Sequence, residues 1–390
     1  MNIEAIQQSL LERNLDGWLF FDHHRRDPLA YRILHLPDDV NPSRRWYYFV
    51  PAKGEARKLV HRIESHVLDS VPGAASMYSS WSEQESNINT MLAGCRRIAM
   101  QYSPNCAIPY VSMVDAGTIE LIRAAGVDIE SSADLIQLFE ARWTEDQFQM
   151  HVEAGKRVDT ARGDAFRFIA DHLRRRDVAS EFDVQQFIRK RFSELGLTTD
   201  HGPIVAVNGN ASDPHYEPAR DKTSPIRSGD AVLIDMWAKL AKPDAVYYDI
   251  TWTGFCGAAI PSEIQKVFDV VTGARKSASD FVISKRANHE PLAGYEVDDA
   301  ARDYIRNRGF GEYFFHRTGH SIGTEVHGTG ANMDNFESHD VRQIIPNTCF
   351  SIEPGIYLPK FGIRSEVNVY VGENRALVTG EEQRELVRIE

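Results

Sequence analysis

Two aspartates in the second half of the sequence each lie in an apolar segment typical of a buried strand. Asp235 follows the apolar run 231–234 (AVLI), so we expect it at the end of one strand, and Asp249 lies in the apolar segment 247–251 (YYDIT). Neighbouring strands would bring the two carboxylates together, where repulsion keeps one of them protonated unless a metal ion is bound. Either aspartate alone could equally be an ordinary residue at a strand end.

Three histidines, His316, His320 and His327, fall within twelve positions of one another. Gly319 and Gly323 bracket the middle one, which indicates tight backbone packing around it. Histidine is the commonest nitrogen ligand of metals. A single histidine is more often a core residue, but three in one short segment favour a binding role.

Two glutamates and an arginine follow. Glu353 ends an apolar run and precedes Pro354, which biases its backbone to an extended form. Arg364 and Glu366 are two positions apart, so on a single strand they would share one face. They could also be an ordinary surface ion pair.

Taken together, these segments supply four carboxylates and one histidine. Such an oxygen-rich set is unlike the cysteine-rich structural zinc sites. It suits a pair of divalent ions, Mn, Co or Zn, that share bridging carboxylates. The sequence therefore predicts a two-metal site whose ligands are Asp235, Asp249, His320, Glu353 and Glu366.

The elements that carry these residues follow a change of pattern near residue 143. Before it, short helices and strands alternate, with a hairpin over about 45–61. After it, Thr144 and Gln147 form a capping-box pattern that begins a long helix to about residue 175. Further segments are predicted as a helix over 181–195, strands over 204–254, helices over 262–286 and 296–308, and strands and turns from 314. We expect an α+β protein with domains at 1–143 and 144–390.

The composition excludes several classes of partner. The chain has 390 residues and a formal net charge of -12, so nothing favours binding to nucleic acid. No run of roughly 18 apolar residues suggests a membrane span, and residues 1–15 do not resemble a secretory signal. Four widely spaced cysteines favour reduced thiols. These features predict a cytoplasmic protein.

The second half resembles the pita-bread metallopeptidases, the superfamily of methionine aminopeptidases and Xaa-Pro dipeptidases. That family orders its ligands Asp, Asp, His, Glu, Glu, and the matching segments here are DITWTG, HRTGHSIGTEVHG, SIEPGIY and GIRSE. The first third is similar to the N-terminal domain of creatinases and prolidases. The resemblance implies a C-terminal pita-bread catalytic domain preceded by a smaller α/β domain.

The resemblance also implies an activity, which is hydrolysis of Xaa-Pro dipeptides, or of the N-terminal Xaa-Pro bond of short peptides, by a metal-activated hydroxide. Glu353 would act as general base as well as ligand, and His327 would stabilise the oxyanion. His215, in the segment NGNASDPHY, and His316 would line the substrate pocket, and His316 could instead only support it. Arg364 would hold the carboxylate of a small peptide substrate. Two ions, with Mn favoured over Co or Zn, and a homodimer are expected.

Some residues depart from the family pattern. The two aspartates are 14 positions apart (249 minus 235), a longer spacing than usual, which we interpret as a longer hairpin. Trp252 and Arg317 replace residues common in the family, which leaves the substrate open. A metal-dependent hydrolase or lyase of a small osmolyte and a non-enzymatic scaffold therefore remain alternatives. The sequence does not decide between dipeptidase and aminopeptidase.

Overall fold

The computed structural model describes residues 1–390 and divides into two compact units. The first is Met1–Glu140 and the second is Ala141–Glu390. The boundary expected from the sequence lies three residues further along (143 minus 140). None of the helices combines the length and apolar character that a bilayer span requires.

The first unit alternates helices and strands. Its elements, in chain order, are α1 (Ile3–Glu12), β1 (Gly17–Asp22), α2 (Pro28–Leu34), β2 (Trp46–Pro51), β3 (Arg57–His61), β4 (Ala74–Tyr78), α3 (Trp81–Met91), β5 (Arg97–Met100), α4 (Ala116–Ala124), β6 (Asp128–Ser131) and α5 (Ala133–Ile136). The six strands form one sheet in the order β4-β3-β2-β1-β5-β6.

The six strands of this sheet are partly parallel and partly antiparallel. β2 runs antiparallel to both β1 and β3, as the predicted hairpin requires. β1 pairs in parallel with β5, β5 with β6, and β3 with β4. All strands except β2 therefore point the same way, and their carboxyl ends share one edge. Separate apolar clusters cover the two faces of the sheet.

The second unit opens with two helices and then becomes mostly strands. Its elements are α6 (Glu145–Arg175), α7 (Glu181–Glu194), β7 (Leu197–Thr198), β8 (Ile204–Val207), β9 (Ala231–Leu240), β10 (Tyr248–Cys256), α8 (Ser262–Ala287), α9 (Gly294–Arg306), β11 (Ser321–Ile322), β12 (Thr348–Ile352), β13 (Gly355–Leu358), β14 (Phe361–Arg364), β15 (Val367–Val371), β16 (Ala376–Thr379) and β17 (Val387–Ile389).

Local signals explain the helices of this unit. Thr144 caps α6, its hydroxyl accepting from the Gln147 N–H while the Gln147 side chain accepts from the Thr144 N–H, which confirms the predicted capping box. α7 ends just before Gly196, which has a φ of +67° and supplies the left-handed turn that stops a helix. The α6 and α7 helices pack against β9 and β10 through one apolar cluster.

Three sheets carry the strands. β9 lies between β10 and both β7 and β8, and β17 extends β10 on its far side. A second sheet has the order β11-β12-β15-β16, and β13 and β14 form a separate hairpin. Helices α8 and α9 pack against the second sheet and this hairpin through a large cluster. The strands thus form a middle layer between two pairs of helices.

Candidate metal centre

Asp235 and Asp249 lie on neighbouring antiparallel strands, but not at the positions that the sequence suggested. Asp235 was expected to end its strand, and this was wrong, because β9 stays paired with β10 and continues to Leu240. In the register, Asp235 is opposite Thr251 and Asp249 is opposite Trp237. The two aspartates are therefore diagonal neighbours on one face, and both side chains are buried.

Gly319 lets the chain before β11 approach β12 closely. A Cβ atom at this position would collide with the carbonyl oxygen of Ser351, so the segment tolerates only glycine. The hydroxyl of Ser351 accepts from the backbone N–H of His320 at 3.0 Å and donates to Oε1 of Glu353 at 3.0 Å. One serine therefore fixes both the histidine backbone and the glutamate carboxylate.

The ring of His320 is oriented so that one nitrogen is available as a ligand. Its Nδ1 lies 3.1 Å from the carbonyl oxygen of Ser321, and since a carbonyl only accepts, Nδ1 carries the proton. Its Nε2 then presents a lone pair, 3.3 Å from Oε1 of Glu353 and 3.5 Å from Oδ2 of Asp249. A lone pair facing two carboxylate oxygens is favourable only when a proton or a cation lies between them.

Two buried carboxylate oxygens lack any hydrogen-bond partner, Oδ1 of Asp249 and Oε1 of Glu366. The other oxygen of Glu366 accepts from the Thr251 hydroxyl at 2.9 Å. Ligand atoms of Asp249, His320 and Glu366 all lie within 4.8 Å of one another. Buried oxygens without donors carry a large desolvation cost, which a cation would remove.

The electrostatics of this cluster agree with its geometry. Burial, and then the charge of Asp235, raises the pKa of Asp249 well above its ordinary value. Burial, followed by the charges of Asp249 and Glu353, does the same to the pKa of Glu366. Repulsion between buried carboxylates is the condition that a divalent ion removes. The donor set therefore fits a divalent metal.

The sequence suggested that Arg364 and Glu366 lie on one strand, and this was wrong. β14 ends at Arg364 and β15 begins at Val367, because the chain leaves its pairing with β13 at Ser365 and then pairs with β12. Both side chains nevertheless reach the centre. The guanidinium donates to Asp235 Oδ2 at 2.5 Å and to the Thr251 hydroxyl at 3.1 Å.

The break between β14 and β15 at Ser365 is stabilised by Arg275 of helix α8. Nη1 of Arg275 donates to the Ser365 hydroxyl at 2.6 Å, and its Nη2 donates to the carbonyl of Gln383 at 2.8 Å. Gln383 pairs with both backbone groups of Thr253, whose hydroxyl donates to the carbonyl of Arg364. Arg275 was not among the predicted site residues, because nothing in its helical sequence context indicates this contact.

His316 lies in a second hydrogen-bonded chain beside the carboxylates. Its Nδ1 is 2.7 Å from the carbonyl of Arg317, so Nδ1 carries the proton and Nε2 accepts from the Tyr357 hydroxyl at 2.7 Å. Arg364 Nη1 donates to the same hydroxyl at 3.1 Å. Burial, and then the charge of Arg364, lowers the pKa of His316 to about 3, which keeps the ring neutral.

The remaining two predicted histidines lie on the open side of the centre. The ring of His327 is 4.3 Å from that of His320, edge to face, and the side chain is exposed. His320 and burial lower the pKa of His327, and His215 contributes to the same shift. His215 is exposed, and its backbone N–H donates to Asp213. The two rings therefore border the approach from solvent.

Comparison with known proteins decides the family. Residues 149–373, more than half of the chain, match the model of metallopeptidase family M24. The chain belongs to metallopeptidase family M24. The matched residues include all five predicted ligands and the three candidate substrate residues.

Curated relatives of this M24 chain carry related descriptions. The Xaa-Pro dipeptidase of Lactobacillus helveticus is 30% identical over 241 residues, which are 61% of this chain and 59% of that protein. The Xaa-Pro dipeptidase of Pyrococcus furiosus is 30% identical over 246 residues, 63% of this chain and 64% of that protein. The matches thus span about three fifths of the relatives' own length.

Solved structures are similar in fold to this M24 member over nearly its whole length. The prolidase of Thermococcus sibiricus matches with a TM-score of 0.68 at 23% identity, covering 99% of this chain and 98% of that one. The dipeptidase PepE of Mycobacterium ulcerans matches with a TM-score of 0.73 at 22% identity, covering 99% and 96%. The expected α+β architecture with a pita-bread C-terminal part is confirmed.

Two residues that depart from the usual M24 pattern have different surroundings. Trp252 lies on the face of β10 opposite that of Thr251, where it packs with helix α6, and the guanidinium of Arg162 lies 3.6 Å above its ring. It is thus turned away from the metal centre. Arg317 is close enough for its charge to lower the pKa of His320 and of His327.

Proposed function

We propose that this chain is a metal-dependent peptidase that hydrolyses Xaa-Pro dipeptides or the N-terminal Xaa-Pro bond of short peptides. The observation that carries the proposal is the pair of buried, partnerless carboxylate oxygens on Asp249 and Glu366 beside the lone pair of His320. M24 membership and the described activity of the relatives support the choice of substrate. The homodimer and the creatinase-like character of the N-terminal domain stay predictions.

Five residues would hold two divalent ions in this proposal. Asp249, His320 and Glu366 offer ligand atoms within 4.8 Å of one another, and Oε1 of Glu353 lies 3.3 Å from His320 Nε2. Asp235 adds a carboxylate whose second oxygen is held by Arg364. When bound, the ions supply Lewis acidity for the peptide carbonyl and acidify a water molecule. Manganese is the first choice, with cobalt and zinc as alternatives.

Glu353 is the proposed general base. Burial raises the pKa of its carboxyl, which brings its basicity closer to neutral pH. The carboxylate takes one proton from the attacking water while the C–O bond forms at the scissile carbonyl. The same proton then passes to the proline nitrogen as the C–N bond breaks, so a free carboxylate and a free amine leave. Ser351 holds Glu353 Oε1 throughout.

The histidines on the open side would bind the substrate. His327, edge to face with His320, is proposed to donate to the oxygen of the tetrahedral intermediate. His215 would contact the substrate from across the opening. Burial and the charge of Arg364 keep His316 neutral by lowering its pKa, and it would act through its hydrogen bond with Tyr357 rather than by direct proton transfer.

Arg364 has a narrower role in this proposal than the resemblance implied. Its three nitrogens already donate to Asp235, Thr251 and Tyr357. A fourth N–H is directed at the carbonyl oxygen of Pro214 at 3.5 Å, so at most one of the five N–H groups of Arg364 is left for a substrate carboxylate. We therefore propose that Arg364 mainly positions the ligand Asp235.

The test is a hydrolysis panel with metal-depleted protein to which Mn, Co or Zn is added. The panel contains an Xaa-Pro dipeptide, the matched Xaa-Ala dipeptide and a tripeptide that begins with Xaa-Pro. We expect the Xaa-Pro dipeptide to be cleaved with a kcat/KM at least about tenfold above that of Xaa-Ala, a difference of about 1.4 kcal/mol. Cleavage of the tripeptide decides between aminopeptidase and dipeptidase.

Absence of hydrolysis with every ion would overturn the peptidase proposal. If the ions nevertheless bind, an enzyme of a small non-peptide substrate takes its place. If no ion binds, a non-enzymatic scaffold takes the place of the peptidase proposal. A matched control is Asp249→Asn, which keeps the shape of the side chain and removes its charge, and which should abolish activity in all three arms.

A further inference from the structure

The N-terminal unit contains a cavity of about 510 Å³, and all of its lining residues belong to that unit. Phe21 at the end of β1, His61 at the end of β3 and Tyr78 at the end of β4 line it. It therefore lies at the carboxyl edge of the parallel strands. In open α/β sheets this edge is where ligands bind, because the loops and helix starts that follow the strands converge there.

Positive charge dominates the lining of this cavity. Arg26, Arg44 and Arg45 all border it, whereas Asp115 is the only acidic residue that does. The two carboxylate oxygens of Asp115 accept from the backbone and hydroxyl of Thr118. The whole chain has a net charge of -12, so the excess of arginine is local to this cavity.

Two of these arginines form no close ion pair, although the charge of Arg26, after the hydrogen bonds from Thr118, helps to lower the pKa of Asp115. No carboxylate oxygen lies within 4.0 Å of the guanidinium nitrogens of Arg26 or Arg45, although the Arg45 side chain is half-buried. A solvated surface arginine needs no partner, but a half-buried one that faces a cavity loses part of its hydration. Burial, and then the charges of His24, Arg26 and Arg45, lowers the pKa of His23, which reports the same positive potential.

Two helices begin beside the cavity, but both helix starts are already capped. Asp115 accepts from the Thr118 N–H at the start of α4, and Ser80 and Glu83 form a capping box at the start of α3. The positive potential of the cavity therefore comes from its arginines.

The cavity also has an aromatic side. The rings of His61 and Tyr78 are in edge-to-face contact, with centroids 5.0 Å apart. Trp81, the first residue of α3, leaves 71% of its surface exposed at the rim. A flat ring could stack on this indole while an anionic group reaches the arginines.

We propose that this cavity binds a small phosphorylated molecule with a flat ring, of the mononucleotide class. The phosphate lies between Arg26 and Arg45, whose planar forks match its oxygens. The ring lies against Trp81. A volume of about 510 Å³ is in the ordinary range for small-molecule sites.

The experiment is calorimetric titration of the full chain, at low salt, with AMP, adenosine and inorganic phosphate. We expect saturable binding of AMP with a Kd of about 1 mM or tighter, weaker binding of phosphate, and no measurable binding of adenosine at the same concentration. Because the contacts are ionic, AMP affinity should fall as salt is raised.

The variants are Arg45→Met and Arg26→Met, and Arg97→Met is the matched control. Arg97 is the first residue of β5, so it lies at the amino ends of the parallel strands, away from the cavity at their carboxyl ends, and it pairs with Glu130. We expect AMP affinity to fall at least about tenfold in each of the first two and to stay unchanged in the control. Arg26 is exposed, so its removal tests the site even if Arg45→Met does not fold.

Three results would overturn the proposal. The first is an absence of saturable AMP binding to the wild-type chain. The second is binding that survives unchanged in Arg26→Met. The third is adenosine binding as tightly as AMP, since the arginines would then contribute nothing. None of these results depends on the proposed peptidase activity.

Discussion

Arg364 and Asp235 form an ion pair inside the candidate metal centre, with 2.5 Å between Nη2 of the arginine and Oδ2 of the aspartate. Both side chains are largely buried, and the arginine exposes only 3% of its side chain. A guanidinium in this position leaves the other oxygen of Asp235 to face the centre. It also offsets part of the charge that four buried carboxylates bring together.

Replacing Arg364 by Met tests whether it positions a ligand or binds the substrate. We expect kcat to fall about tenfold or more, equivalent to at least about 1.4 kcal/mol, because Asp235 loses its buried partner. The loss should be equal for an Xaa-Pro dipeptide and its C-terminal amide. Steady-state kinetics on both substrates measure this. A rise in KM confined to the free-acid dipeptide would instead assign Arg364 to the substrate carboxylate.

Arg275 should matter for activity although it touches no proposed ligand. Arg275 is 3% exposed, and its guanidinium donates to Ser365, the residue between Arg364 and Glu366. We expect Arg275→Met and Ser365→Ala each to lower kcat several-fold while KM changes little. Because the two side chains share one contact, their effects should be non-additive by about 0.5–3 kcal/mol.

The matched control for Arg275 is Arg286→Met on the same helix. Arg286 also donates to backbone carbonyls, but they are those of Gly372 and Glu373, which follow β15 and lie outside the segment between β14 and β15. The Arg286→Met substitution should leave kcat unchanged even if it lowers the unfolding temperature. Equal losses of activity in Arg275→Met and Arg286→Met would mean that Arg275 supports only the general stability of α8.

Metal binding should release protons. Asp249 and Glu366 have their pKa raised well above the ordinary value by burial first and by neighbouring carboxylates next, so the metal-free protein holds protons that an ion must expel. We expect the affinity for Mn to increase from pH 6 to pH 8, with release of about one proton or more. Titration calorimetry in two buffers of different ionisation enthalpy measures this number. Affinity that does not change with pH would contradict the raised pKa values.

A second pH effect concerns stability in the first unit. Burial raises the pKa of Asp27 to about 7, and Asp22 adds to the shift, while Oδ2 of Asp27 has no hydrogen-bond partner. The folded state therefore holds the proton that the unfolded chain loses near pH 4, and stability falls as the pH rises from about 4 to 7. Asp27→Asn keeps the cap on the Ala30 N–H and removes this penalty.

We therefore expect Asp27→Asn to stabilise the first unit at pH 8 by about 1–4 kcal/mol, following about 1.4 kcal/mol per pKa unit. The gain should shrink as the pH is lowered toward 4, where the buried carboxyl is already neutral. Thermal unfolding of both proteins at pH 5 and pH 8 measures the difference. The same gain at both values would show that the buried charge is not its cause.

The sequence was most informative where a short motif fixed the local backbone. The capping box at Thr144 and the stop at Gly196 lie where they were expected, because both depend on contacts within a few residues. The N-terminal hairpin β2–β3 was predicted for the same reason. The apolar segments beside the acidic residues led to the predicted ligand set, which stays a prediction.

Some features of the site depend on tertiary contacts and could not be predicted from the sequence. Asp235 lies in mid-strand because β10 pairs with β9 beyond it, and a hydrophobic pattern does not reveal where pairing stops. Tyr357 contacts His316 and Arg364 only because the β13–β14 hairpin folds back. The orientation of Trp252 could have been predicted, since it alternates with Thr251 and must face α6.

The most direct test of the account is the activity of Glu353→Gln measured together with its metal content. Glutamine keeps the shape of the side chain but cannot accept the proton of the attacking water. With metal occupancy brought to the wild-type level, we expect the kcat for an Xaa-Pro dipeptide to fall by a factor of about 10²–10⁴. A variant that binds the same amount of metal and keeps more than about a tenth of wild-type activity would contradict the role of Glu353 and the proposed site with it.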